Sequence, residues 1–99
     1  MAAVLEVLES AAAEALEATE WYRERSSVAA AAFELEVRRA FSEIANTPDA
    51  WPNYLEGTRR FLLQRFPYEI VYAVRNARVL VVAIAHCKRR PAYWCGRTG

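Results

Sequence analysis

Ninety-nine residues, 55% of them hydrophobic and 12% aromatic, suffice for one globular domain with one core and are too apolar for a disordered chain. The net charge of +1 conceals a split: residues 1–50 carry ten acids against four arginines, a balance of −6, and residues 51–99 carry two acids against nine bases, a balance of +7. No apolar run approaches the roughly eighteen residues of a membrane span, and no signal-peptide pattern opens the chain, so the expectation is a cytoplasmic protein with no membrane partner and with Cys87 and Cys95 reduced.

The first element, Val4 to Leu8, reads as a short strand, with Ser10 as a cap for the helix that follows. That helix runs over 11–25. Ala12, Ala15, Leu16, Thr19 and Tyr22 recur on one face, and Glu14, Glu17, Glu20 and Glu24 occupy another. Ser26 and Ser27 break it and cap a second helix over 28–45, whose stripe is Phe33, Val37, Phe41 and Ile44. The short turn between them predicts an antiparallel helical hairpin.

A Pro-containing loop over 46–57 changes the character of the chain, and three strands follow over 59–65, 68–74 and 78–85. Short connections make neighbours antiparallel. The run "VLVVAIA" has no polar residue on either face, which predicts a central strand covered on both sides. The fold class expected is α+β, order β-α-α-β-β-β, with the helical hairpin packed on an antiparallel sheet and a short C-terminal tail, all in one domain over 1–99.

The charge split permits two readings. Either the basic half forms a face for an anionic partner, or the halves lie together and neutralise each other. Chemistry gathers in "AHCKRRPAYWCGR", residues 85–97. His86 is the best candidate general acid or base, because imidazole trades a proton near neutral pH. Lys88, Arg89 and Arg90 make a candidate phosphate-binding cluster, joined by one of Arg59 and Arg60, which strand alternation sends to opposite faces. Tyr93 and Trp94 offer stacking platforms for bases, or else anchor the tail to the core, the reading favoured for Trp94. A metal site on His86, Cys87 and Cys95 lacks a fourth ligand, and no phosphate-cradling glycine loop or nucleophile elbow is present; neither a metal nor a cofactor is expected.

With "WP" at 51–52, "RRFLLQRFPYEIVY" at 59–72, "VLVVAIAHCKRRPAYW" at 79–94, and helices resembling "AEALEATEWY" and "FELEVRRAFSEIANTP", the chain resembles the RelE/ParE superfamily of bacterial toxins over nearly its whole length. That resemblance implies the growth-inhibiting toxin half of a type II toxin–antitoxin pair, with a cognate antitoxin as partner. It also implies one of two targets: the ribosome, where RelE-like relatives cut mRNA, or DNA gyrase, which ParE-like relatives poison. On the RNA-cutting branch the expected catalytic set is His86, Arg60, Arg89 and Tyr93, with target contacts from Arg59, Lys88, Arg90, Trp94 and Arg97. Leu62 and Glu69 stand where RelE-like sequences carry a lysine and an arginine, so that constellation is incomplete. A non-toxic binding module of the same fold is the alternative.

Overall fold

The computed structural model describes residues 2–97. Strand β1 (Val4–Val7) leads into helices α1 (Glu9–Arg23) and α2 (Ser27–Asn46), then β2 (Arg59–Leu62), β3 (Tyr68–Arg75) and β4 (Arg78–His86), in the sheet order β1-β4-β3-β2. The expected order of elements is therefore the observed one, and "VLVVAIA" occupies an inner strand. β2, β3 and β4 are antiparallel, whereas β1 pairs parallel to β4, Val4 opposite Arg78 through Val7 opposite Val81, so the sheet is mixed. The reason is topological. Both helices follow β1 in the chain and their crossover delivers β2 to the far edge, from which the antiparallel run β2-β3-β4 brings β4 back beside β1 in the same direction.

Helix α2 buries Ala30, Phe33, Val37, Ala40 and Ile44, a spacing of three and four that puts one stripe on the sheet. It starts as the serine pair predicts, with the Ser26 hydroxyl accepting the Ala29 N–H at 3.1 Å. α1 starts two residues before its predicted beginning, and Ser10 does not cap it. Leu8 is the N-cap, with no side-chain bond; its own N–H goes to the Val81 carbonyl at 3.0 Å, so strand pairing runs straight into the first helical turn.

β2 stops at Leu62 rather than continuing to residue 65. Glu36 of α2 accepts the backbone N–H groups of Gln64 and Arg65 at 2.5 and 3.3 Å, diverting both from a sheet ladder. On the helix side the core gathers Phe33, Ile44, Phe61, Ile70, Tyr72, Val79, Val81 and Ile84. Buried Tyr72 donates its hydroxyl to the Pro48 carbonyl at 2.7 Å, and burial pushes its pKa to about 12. A smaller cluster of Val71, Val82, Ala83 and Trp94, flanked by Tyr54 and Tyr93, covers the other face.

Phe33 is fully buried and packs edge-on to Phe66 and Tyr68. Phe33→Ala is expected to lower the unfolding free energy by about 3–5 kcal/mol, read as a fall in urea midpoint at unchanged slope.

Candidate functional site

β1 is only four residues long, and its pairing with β4 ends at Val81. Beyond that point β4 faces α1 with open backbone groups. Ala11, Ala15 and Ala18 line the near side of α1, and their small side chains let the helix approach closely. Glu14 sits within that alanine stripe. One of its carboxylate oxygens accepts the Ile84 N–H at 3.0 Å, standing in for the missing strand, and an Arg97 guanidinium N–H, also at 3.0 Å. The other accepts the Tyr93 hydroxyl at 2.6 Å and a second Arg97 N–H at 3.2 Å. Arg97 also donates to the Val82 carbonyl at 3.1 Å. Arg89 lies 3.6 Å from the same carboxylate and stacks over the Tyr93 ring, 3.9 Å from its centroid.

Burial pushes the Glu14 carboxyl up, but the hydrogen bonds from Arg97, Tyr93 and the Ile84 N–H outweigh it and hold it below the usual carboxylate range. Tyr93 moves the opposite way: burial first, then its bond to Glu14, holds the phenol protonated far above its ordinary value. Tyr93 is thus a fixed donor and not a base. Arg97 is committed to Glu14 and the β4 edge.

His86 lies on the helix side of the sheet, paired with Tyr68 across the strands, their rings edge-on at 5.1 Å. Its Nδ1 accepts the Lys88 backbone N–H at 3.1 Å. Arg60 lies on the opposite side, in register with Val71 of the second cluster, over the Tyr54 ring at 4.4 Å and 3.8 Å from Glu69. Of the four residues read as catalytic, the sheet therefore sets Arg60 apart from His86, Arg89 and Tyr93 gather around Glu14 at the β4 edge, and His86 and Arg89 line one groove.

Of the residues read as target contacts, Trp94 is buried at 3% exposure beneath the sheet and offers no free stacking face. Arg59 donates to the Trp51 carbonyl at 2.6 Å and pairs with Asp49 at 3.7 Å, pinning the loop before β2. Lys88 and Arg90 are exposed, with no ion pair among the described residues. Six of the nine bases in the second half carry a carboxylate partner, four of the five partners coming from the first half, so mutual neutralisation prevails over a single basic face. Both cysteines are free and exposed. Among the described residues no group of three His, Cys, Asp or Glu side chains could hold a metal, and no helix is long and apolar enough to cross a membrane.

Residues 5–91 match the family described as ParE toxin of type II toxin-antitoxin system, parDE. The chain belongs to the ParE toxin family. It is thus the toxin component of a type II toxin–antitoxin system, within the RelE/ParE superfamily. A solved structure titled "Chromosomal ParDE TA system from P. aeruginosa" superposes with a TM-score of 0.75 at 16% identity, covering 85% of this chain and 95% of that one, which is a likeness of fold. No curated protein matches the chain in sequence.

Against this ParE-type frame, Glu14 is the residue that periodicity misplaces, assigned to the solvated face with Glu17, Glu20 and Glu24. The signal for it is present. Position 14 falls three residues after Ala11 and four before Ala18, inside the buried stripe, where a carboxylate requires partners. Glu69 is buried outright, at 8% exposure, where Glu14 is partly buried, and its Oε2 has no hydrogen-bond partner. Burial raises its pKa and Arg60 only partly offsets the shift.

The two acids should titrate with opposite consequences. Glu14, held low, stabilises the fold above the ordinary carboxylate range, and that stability is lost as pH falls through its depressed value. Glu14→Gln is expected to cost about 2–4 kcal/mol at pH 7 and to flatten the acid limb of stability against pH. Glu69, held high, loses stability as pH rises from about 4 toward its raised value, because the unfolded chain ionises first. Glu69→Gln is expected to be neutral or stabilising by about 1 kcal/mol at pH 7. Urea titrations from pH 3 to pH 7 on the two variants check both signs.

Proposed function

We propose that this ParE-type toxin inhibits growth by binding DNA gyrase, not by cutting mRNA on the ribosome. The observation that carries this reading is the separation of the candidate catalytic groups. Cleavage of RNA by attack of a 2′-hydroxyl needs cations and a proton shuttle around one phosphate. Here His86 and Arg60 are divided by the sheet, the Tyr93 hydroxyl is engaged with Glu14, and Arg60 is shared with the Glu69 carboxylate. A carboxylate beside the arginine also repels the phosphate that an arginine at position 69 would have held. A toxin that acts by occupying an enzyme needs surface and shape, with no reacting group of its own. The cognate antitoxin then silences it by covering that surface, and no small-molecule cofactor takes part.

His86 beside Arg89 is the one feature favouring RNA cleavage, since both border the same groove. A paired assay separates the readings. The purified chain is expected to inhibit gyrase supercoiling while leaving cell-free translation intact, and His86→Ala is expected to keep growth inhibition within about twofold of wild type, the span of a residue outside the chemistry. A translation block abolished by His86→Ala, with supercoiling unaffected, would instead establish the nuclease.

A further inference from the structure

A groove of about 530 Å³ opens between α1 and the ends of β3 and β4. Its walls are aromatic. Tyr22 and Tyr68 lie with ring centroids 6.4 Å apart, His86 packs edge-on to Tyr68, and Trp21, 50% exposed, stands at the rim. Its lining is acidic: three glutamates of α1 and Glu24 at its C-cap stand against one arginine. Three of the four are already engaged, Glu14 with Arg97, Glu20 with Arg23 and Glu24 with Arg25. Glu17 forms no ion pair among the described residues and lines the groove together with Tyr22 and Tyr68. The remaining unspent charge in an aromatic-walled groove is therefore one carboxylate.

We propose that this groove docks a basic segment of a protein partner, an arginine or lysine side chain entering between Glu17 and the tyrosine rings while an apolar neighbour covers Trp21. The chemistry of the occupant follows from complementarity. A cation gains from the carboxylate and from ring faces together, and outside the groove the rim residue Trp21 already carries one such contact, the Arg25 guanidinium 3.6 Å from its ring centroid. A nucleic acid is disfavoured, because its phosphates would meet the unpaired Glu17 carboxylate. The volume suits one or two side chains of an extended or helical peptide rather than a whole domain face. This site adjoins the Glu14 clasp, Glu14 and Arg89 forming one end of its lining, and does not depend on whether gyrase or the ribosome is the target.

The test titrates the labelled full chain with a capped peptide of alternating leucine and arginine, following amide and indole resonances by NMR. The expected result is saturable shifts confined to the Trp21 indole and the backbone near Tyr68 and His86. Glu17→Gln and Trp21→Ala, both at exposed positions, should each weaken binding about fivefold, the scale of one exposed cation contact. Glu43→Gln on α2 should leave it unchanged. Shifts spread over the acidic surface and indifferent to Glu17→Gln, or no saturable shifts, would overturn the proposal. So would a single-stranded oligonucleotide that moves the same resonances at the same affinity.

Discussion

A central strand must find partners for both of its edges, and β4 lacks a strand along half of one edge. β3 pairs with it from Arg78 to His86, but β1 accompanies it only to Val81. The open remainder faces a helix, which has no free backbone groups to lend. Glu14 resolves this by accepting the Ile84 N–H, and Arg97 by donating to the Val82 carbonyl, and the two then bind each other. A carboxylate and a guanidinium from residues far apart in sequence thereby complete a sheet edge. The position of the tail depends on that pair. With Arg97 and Tyr93 fixed to Glu14, Trp94 is carried under the sheet to close the second cluster over Val71, Val82 and Ala83.

The same constraint accounts for the fate of the charge split. Acids of the first half are spent on bases of the second where the halves meet: Glu6 on Arg78, Glu14 on Arg89 and Arg97, Glu36 on Arg65, Asp49 on Arg59. Most of these pairs are surface pairs, each contributing little to stability. Their collective effect is to erase a long-range dipole that the linear sequence displays. Three bases of the second half, Arg75, Lys88 and Arg90, have no ion pair among the described residues, and they sit at the turn between β3 and β4 and in the tail. On α1 the charge left without an ion pair among the described residues is that of Glu9 and Glu17, so unspent charge of both signs remains on the molecule.

Features fixed by nearest neighbours were legible in the sequence. The stripe of Phe33, Val37 and Ile44, the Ser26 cap and the doubly buried "VLVVAIA" depend on residues within a turn or along one strand. Alternation also correctly sent Arg59 and Arg60 to different faces. What escaped depends on contacts across many residues. The Glu14 bonds span 70 to 83 positions, and the Glu36 bonds that end β2 span 28 and 29. Periodicity assigns a residue to a face and is silent about what crosses from another element. It therefore grouped Glu14 with Glu17, Glu20 and Glu24, while the set of His86, Arg60, Arg89 and Tyr93, implied by the family resemblance, is divided by the sheet, which sets Arg60 apart from His86.

The division bears on how one fold serves different chemistries. Likeness to a ParDE structure at 16% identity fixes architecture, while reactivity is decided by which side chains share a space. On the face away from the helices, the space around Arg60 is shared with Glu69, whose burial raises its pKa and whose Oε2 lacks a donor. A buried carboxylate in that state costs stability, and its retention beside the arginine is hard to reconcile with a site shaped to receive phosphate. Arg60 instead closes a small structural assembly with Tyr54 and Glu69, leaving that face packed and electrically balanced. A surface so arranged is suited to being covered by another protein, and the unspent carboxylate and exposed indole of α1 give such a partner a point of attachment on the other side of the sheet.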